Sequence, residues 1–316
     1  MAGMEKGRIL LAVRGFNPQR WYELLSAKRK VTLEPEGPDD PSITYAVVWK
    51  HKPNLLASLP NLRAVFSVGA GVDHIFTDPG LPKAPIVRVV ADNLTQYMTE
   101  YVCWRVLDHH RQGALYRGQQ KRKVWHEPPQ RTANDIAVGI MGFGNLGRAS
   151  AQALRTLGFV VNGWSRTPRT MDGVATFHGD QGLVPFLNAT DILVVLLPLT
   201  PATQGIVSYK LLKKLRRRNG LGGAVLINAG RGKLQSDDDI LRALEDGTLK
   251  EASLDVFETE PLPKTSPLWG HPRVFVTPHA AATSDPNHLV KPMLDQMDAL
   301  ERGEPLQNVV DIEAGY

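Results

Sequence analysis

A chain of 316 residues is long for one ordinary domain and fits two of moderate size. Its 42% apolar and 22% charged residues exclude a disordered chain, and its single cysteine, Cys103, excludes an internal disulfide and suits a reducing, cytoplasmic setting. Lys and Arg outnumber Asp and Glu by 37 to 32, a net charge of +5; with no RNA-binding signature and no zinc spacing, that charge points to small anionic ligands rather than to nucleic acid or a metal.

The opening segment, MAGMEKGRILLAV, has too short an apolar run for a signal peptide and reads as a strand over Arg8–Val13. Further strands are predicted at Thr44–Trp49, Ala64–Val68 and Ile86–Val90, with helices between them such as Gln19–Lys28. A long helical pattern follows from about Thr95 to Gln119. The basic, proline-containing stretch KRKVWHEPPQRTAND then reads as a loop between domains. From Asp135 a second series begins, with strands at Ile136–Met141, Phe159–Trp164, Ile192–Leu197, Ala224–Asn228, Ala252–Val256 and Val274–Thr277. Helices at Leu146–Leu157, Tyr209–Arg217 and Asp237–Asp246 cross between them. Six strands with helical crossovers match two mononucleotide-binding halves. Asp285–Arg302 reads as a last helix. The longest apolar stretch, Ile192–Leu197, is far short of a membrane span.

The segment IAVGIMGFGNLGRASAQALRTLG places Gly142, Gly144 and Gly147 in a G-x-G-x-x-G turn between a strand and a helix. The first glycine permits a tight turn and the second lets backbone approach a pyrophosphate. The third lets helix and strand pack closely, while the helix N-terminus offers N–H groups to the anion. The next strand ends in Trp164-Ser165-Arg166-Thr167-Pro168-Arg169. An acid that would bond a ribose 2′-OH is absent there. Ser165, Thr167 and the guanidinium groups of Arg166 and Arg169 suit a 2′-phosphate instead, so NADP(H) is expected over NAD(H).

Three more segments carry reactive groups at predicted strand ends, where ligands of open α/β sheets bind. Arg231 lies in LINAGRGKLQ and has the fork that clamps a carboxylate. Glu258 and Glu260 lie in SLDVFETEPLP. His279 lies in VFVTPHAAAT. An arginine, a carboxylate and a histidine together suit reduction of a 2-oxo acid: hydride reaches the carbonyl carbon, and the histidine protonates the developing alkoxide while the carboxylate stabilises the imidazolium.

These segments, with SVGAGVDHI (Ser67–Ile75) and TEYV (Thr99–Val102), resemble the D-isomer-specific 2-hydroxyacid dehydrogenase family. VWK at Trp49, WSR at Trp164–Arg166, SPLWGHPRV (Ser266–Val274) and the closing Gly315-Tyr316 resemble its glyoxylate/hydroxypyruvate reductase A branch. The resemblance implies an α/β fold of two doubly wound parallel-sheet domains, Rossmann/flavodoxin-like. A nucleotide domain (97–283) would be inserted in a substrate domain (1–96 and 284–316), with a hinge that closes on the ligands. It implies NADPH-dependent reduction of glyoxylate or hydroxypyruvate to a D-2-hydroxy acid.

Residue by residue, it makes Arg231 the substrate clamp and His279 the acid/base, and selects Glu260 over Glu258 because Glu260 precedes the proline. Backbone at Val68, Gly69, Ala70 and Gly71 would hold the substrate carboxylate, and Trp49 would wall a small pocket. Further cofactor contacts are implied for Asn145 and Leu146, for Leu197, Pro198 and Thr203, for Ala229 and Gly230, and for Asp255. Met98, where many members carry a smaller residue, is a last one. A homodimer through the nucleotide domain is implied, using the Thr95–Gln119 helix and the KRKVW loop. The competing readings are another D-2-hydroxyacid, formate, phosphite or phosphoglycerate dehydrogenase, and a non-enzymatic, dinucleotide-sensing scaffold of the corepressor kind.

Overall fold

The computed structural model describes residues 6–34, 40–69, 71–88, 90–217 and 221–313; Ala70, Val89, Arg218, Gly315 and Tyr316 lie outside them. The chain separates into two compact units, Met1–Leu94 with Thr283–Tyr316, and Thr95–Ala282.

In chain order the first unit contains β1 (Arg8–Val13), α1 (Gln19–Ser26), β2 (Val31–Leu33), β3 (Ile43–Trp49), β4 (Ala64–Ser67), α2 (Asp73–Phe76) and β5 (Ile86–Val87). The strands pair in parallel in the order β2-β1-β3-β4-β5. That is the doubly wound flavodoxin order. β1 and β3 are buried almost from end to end, as expected of strands covered on both faces. Leu10, Ala46, Val48, Val65 and Ile75 form the core beside them. β2 was not foreseen: an edge strand of three half-buried residues carries little apolar signal.

The predicted helix from Thr95 to Gln119 is two helices, α3 (Asp92–His110) and α4 (Gly113–Arg122). Gln112 sits between them in the left-handed region at φ 57°, which no continuous helix of L-residues accepts. Gly113 makes the break possible, because a Cβ there would lie 2.0 Å from Asp108 Oδ1. The basic loop that follows belongs within the second unit rather than between domains.

The second unit continues with β6 (Ala137–Met141), α5 (Asn145–Thr156), β7 (Val160–Ser165), β8 (Ala175–His178), α6 (Gly179–Asn188) and β9 (Ile192–Val195). Then come α7 (Tyr209–Leu212), β10 (Ala224–Asn228), α8 (Asp237–Glu245), β11 (Leu249–Leu254) and β12 (Val274–Val276). Seven parallel strands, not six, lie in the order β12-β11-β10-β9-β6-β7-β8. The added one is β8, another edge strand with exposed ends. β11 begins three residues earlier than Ala252, and α7 is a single turn, shorter than Tyr209–Arg217. The strand order reverses between β6 and β9, and their carboxyl ends define the crevice where such sheets bind ligands.

α9 (Pro286–Glu301) returns to the first unit. Its anchor is Arg29, whose fully buried side chain meets both Glu301 oxygens at 2.6 and 2.9 Å and pairs with Asp298. A buried guanidinium left without these carboxylates would be strongly destabilising. No helix among the described residues is long and apolar enough to cross a membrane.

Candidate active site

The glycine turn is dictated by two kinds of constraint. Gly142 has φ 112°, and a Cβ there would lie 2.6 Å from the Leu196 carbonyl. A Cβ on Gly147 would lie 2.3 Å from Gly142 O. Packing therefore demands both. Gly144 differs, since a Cβ there would meet nothing within 4 Å. The chain's own packing does not require a glycine at that position, whereas a pyrophosphate lying against the backbone would. Gly144 caps α5 without a side-chain hydrogen bond, and no acid occupies the first turn of the helix. The positive end of the helix dipole is thus presented by Asn145, Leu146 and Gly147 for an anion. These residues fit a dinucleotide.

β7 ends beside this turn. Gly142 and Phe143 donate to Trp164 O at 3.0 and 3.1 Å. A Cβ on Gly163 would strike the Phe143 ring at 2.5 Å, which explains that glycine. Ser165 Oγ donates to Thr167 O at 2.8 Å and fixes the bend after the strand, leaving Arg166, Thr167 and Arg169 at the exposed rim. Across the crevice, a Cβ on Gly230 would lie 2.9 Å from Leu197 O, so the ends of β9 and β10 approach closely. Thr203 Oγ1 donates to Pro198 O at 2.7 Å and fastens that loop. Ala229 is buried, and Met98 is buried with it in the core of the second unit, beside Tyr101 and Val102.

Arg231 follows β10 in a turn held from beneath. Buried Asn228 accepts from Gly230 N at 3.0 Å, and its amide donates to Arg231 O at 3.2 Å and to Gln235 Oε1 at 2.7 Å. Gly232 has no alternative, because a Cβ would lie 1.8 Å from Phe257 O. Arg231 Nη1 donates to Gly230 O at 2.8 Å, and the side chain is half-buried.

The two candidate carboxylates have different neighbours. Glu258 Oε1 accepts from Asp237 N at 2.8 Å, at the start of α8. Glu260 Oε2 lies 2.9 Å from His279 Nδ1, while its Oε1 accepts from Phe257 N at 3.2 Å. His279 adopts φ 53°, a left-handed conformation that is uncommon for a residue with a Cβ. Its backbone is held there by Asp255, whose carbonyl accepts from His279 N at 2.8 Å. The buried Asp255 carboxylate accepts from Thr277 Oγ1 at 2.6 Å, Ala280 N at 2.8 Å and Ala281 N at 3.0 Å. Tyr101 adds a hydroxyl contact to Thr277 at 2.8 Å, and burial pushes its phenol up to about 12, so it stays protonated. Asn228, Gln235, Gly232 and the Asp255–Thr277–Tyr101 cluster were not foreseen as supports. Only the NAGRG and LDVF strings hinted at Asn228, Gly232 and Asp255.

In the first unit, the turn after β4 is fastened by buried Ser67, whose Oγ lies 3.1 Å from the carbonyl oxygens of both Gly69 and Gly71. Val68 is buried. Trp49 closes β3 against this turn, and a Cβ on Gly69 would lie 2.4 Å from its ring. Ala70 lies outside the described residues.

Two parallel doubly wound sheets, a glycine turn at a switch point and a histidine–carboxylate pair at neighbouring strand ends define a dehydrogenase-type framework, and the chain belongs to the D-isomer-specific 2-hydroxyacid dehydrogenase family. The family's NAD-binding domain model matches residues 103–281. The glyoxylate/hydroxypyruvate reductase A of Serratia proteamaculans is 39% identical over 310 residues, covering 95% of this chain and 97% of that one. The NADPH-dependent glyoxylate/hydroxypyruvate reductase of Sinorhizobium meliloti, solved with NADP and sulfate, superposes with a TM-score of 0.93 at 45% identity over 98% of this chain and all of that one. A family member from Xanthobacter autotrophicus, solved with NADPH, has a TM-score of 0.92 at 38% identity, covering 98% of this chain and all of that one.

Proposed function

We propose that this chain is an NADPH-dependent reductase of small 2-oxo acids, with glyoxylate and hydroxypyruvate as substrates and D-2-hydroxy acids as products. The observation that carries the reading is the 2.9 Å contact between His279 Nδ1 and Glu260, on strand ends of the sheet that also presents the glycine turn. The named relatives support the substrate and cofactor class.

Gly144, Asn145, Leu146 and Gly147 hold the pyrophosphate, and Ser165, Arg166, Thr167 and Arg169 take the 2′-phosphate. Leu197, Pro198, Thr203, Ala229, Gly230, Asp255 and Met98 complete the cofactor's surroundings. Bound NADPH supplies the hydride that reduces the substrate's carbonyl carbon. Arg231 clamps the substrate carboxylate and polarises the carbonyl oxygen. Glu260 accepts from His279 Nδ1–H and supports the imidazolium form of the ring, in which Nε2 carries the transferable proton. That proton goes to the developing alkoxide, which leaves a neutral ring with its hydrogen on Nδ1, still held by Glu260, until Nε2 is reprotonated from solvent. Backbone of the Val68–Gly71 turn positions the substrate, and Trp49 limits its size.

An NADPH-oxidation screen over glyoxylate, hydroxypyruvate, pyruvate and phenylpyruvate tests the reading; no turnover of the first two would end it. For the cofactor, hydrogen bonds to charged groups are worth about 1.5–3 kcal/mol. Arg166→Asp should therefore lower the NADPH-over-NADH preference by about tenfold or more, and an unchanged ratio would remove Arg166 from that role.

We also infer a homodimer through α3, α4 and the loop after them, in the cytoplasm. Trp125 is 103% exposed and Trp104 49% exposed, with Leu115 and Tyr116 exposed nearby in sequence. Apolar surface of that kind on one stretch of chain suits a second copy. Light scattering on Trp125→Glu checks this, with a shift toward monomer as the expected result.

A further inference from the structure

Directly beyond β3, in the first unit, lies a set of polar and aromatic side chains that the proposed chemistry does not use. His51 is buried, and its Nε2 lies 2.9 Å from Asp78 Oδ2. Asp78 is also buried. Its Oδ1 accepts from Asn54 N at 2.7 Å and Gly80 N at 2.8 Å, so the carboxylate is fixed by backbone on one side and by His51 on the other. The His51 ring meets His74 edge-on at 6.3 Å between centroids. The His74 ring in turn lies 4.5 Å from that of Trp49. Trp49 rests against Gly69, where even a methyl group would lie 2.4 Å from the indole. Lys50, between Trp49 and His51, takes φ 49°, a left-handed turn that ends the strand and sends the two neighbouring rings into this stack.

A buried histidine–aspartate pair is costly to assemble unless its groups satisfy each other. Burial holds His51 below its ordinary histidine value, so the ring is neutral and donates Nε2–H. Burial works to raise Asp78, but the Asn54 and Gly80 amides and His51 outweigh it and hold the carboxyl below the usual range. The result is a neutral imidazole locked by an ionised acceptor. That hydrogen bond orients the His51 ring, and the His74 and Trp49 rings pack in sequence upon it.

We propose that Asp78, His51 and His74 are positioning residues that hold Trp49 against Gly69 and thereby set the upper size limit of the 2-oxo acid accepted. This rests on the reading that the Val68–Gly71 turn and Trp49 face the substrate. None of the three touches substrate in this scheme. They act through Trp49, as a rigid backing acts on a pocket wall.

The test uses the full-length protein with two readouts. The first is the ratio of kcat/KM for phenylpyruvate to that for glyoxylate in wild type, Trp49→Ala, His51→Leu, Asp78→Leu and Asp78→Asn. A pocket wall typically discriminates by about tenfold or more. His51→Leu and Asp78→Leu should therefore raise the ratio about tenfold, in the same direction as Trp49→Ala. Asp78→Asn keeps its oxygen for the Asn54 and Gly80 amides and can donate its NH2 to Nε2 of the other neutral His51 tautomer, so it should stay near wild type. NADPH affinity, read by fluorescence, should be unchanged in all of them. The second readout is the indole N–H resonance of Trp49, assigned by its loss in Trp49→Phe. It should move in His51→Leu and in Asp78→Leu, and it serves even for a variant with little turnover.

Ratios within twofold of wild type in both leucine variants, with Trp49→Ala shifted, would overturn the proposal. So would a Trp49 resonance that does not move. If the wild-type protein reduced no 2-oxo acid, the functional reading would fail instead, and the Trp49 resonance would still report whether the column exists.

Discussion

At the scale of single residues, His279 and Glu260 show how local chemistry is set by backbone far from the reacting atoms. His279 occupies a left-handed conformation that Asp255 maintains through its carbonyl and both carboxylate oxygens. Positioned acid–base catalysis contributes about 10²–10⁴ in rate. His279→Ala should accordingly lower kcat at least about tenfold while NADPH still binds, and near-normal turnover would take the proton-transfer role away from it. Arg231→Ala should cut kcat/KM for 2-oxo acids by about tenfold or more, since charged hydrogen bonds are worth about 1.5–3 kcal/mol; an unchanged value would refute the clamp. The residues that bear these roles stand in short strings that can be read from the sequence. Their supports are only partly legible there. Asn228 bonds Arg231 within the same NAGRG string, whereas Thr277 beneath His279 acts through a hydrogen bond to Asp255 across neighbouring strand ends, and no spacing rule within one segment announces that contact. The choice between Glu258 and Glu260 was likewise open to residue chemistry alone. It depends on which carboxylate the turn after β11 directs to His279 and which to the start of α8.

At the scale of elements, the central strands were legible and the edges were not. β1, β3 and β10 are continuous buried runs, and their apolar pattern survives as sequence. β2 and β8 are short edge strands with partly exposed faces, so their pattern merges with that of loops. The division of the Thr95–Gln119 segment into α3 and α4 was hidden because helical periodicity continues on both sides of Gln112. The signal was Gly113, whose missing Cβ makes room for Asp108 to bond Arg117. Glycine is just as decisive after β10. In Gly232→Ala the new methyl would overlap the Phe257 carbonyl, and backbone on both sides leaves little to yield. Overpacking of this kind costs about 1–3 kcal/mol. For a unit of this size each kcal/mol lowers Tm by about 2–4 °C. Calorimetry should show such a drop together with loss of activity, and an unperturbed variant would mean the turn can relax.

At the scale of the whole molecule, three histidines are buried in different places: His51 in the first unit, and His109 and His110 in α3. Burial lowers all three from their ordinary value of 6.5. A base whose folded-state value is depressed binds fewer protons folded than unfolded, so the folded state loses stability as pH falls through the unfolded value. His109 contacts Glu251 and lies 2.7 Å from Ser253 Oγ, which leaves it no solvent to ionise into. Thermal unfolding should therefore shift to lower temperature between about pH 7.5 and pH 5.5. His51→Gln and His109→Gln, where they fold, should flatten that dependence, and a Tm independent of pH over this range would contradict the assignment.

The anchoring of α9 on Arg29 has a consequence for how the molecule is made. The first unit is written in two pieces, separated by the whole of the second. Domains fold as units during synthesis, amino-terminal ones ordinarily first. Here the order is inverted. When Ala282 leaves the ribosome the dinucleotide unit has every residue it needs, while Arg29 still lacks Asp298 and Glu301. The unit begun first is finished last, and a nascent chain stalled before α9 would hold a complete cofactor domain beside a half-built partner with a bare guanidinium in its core.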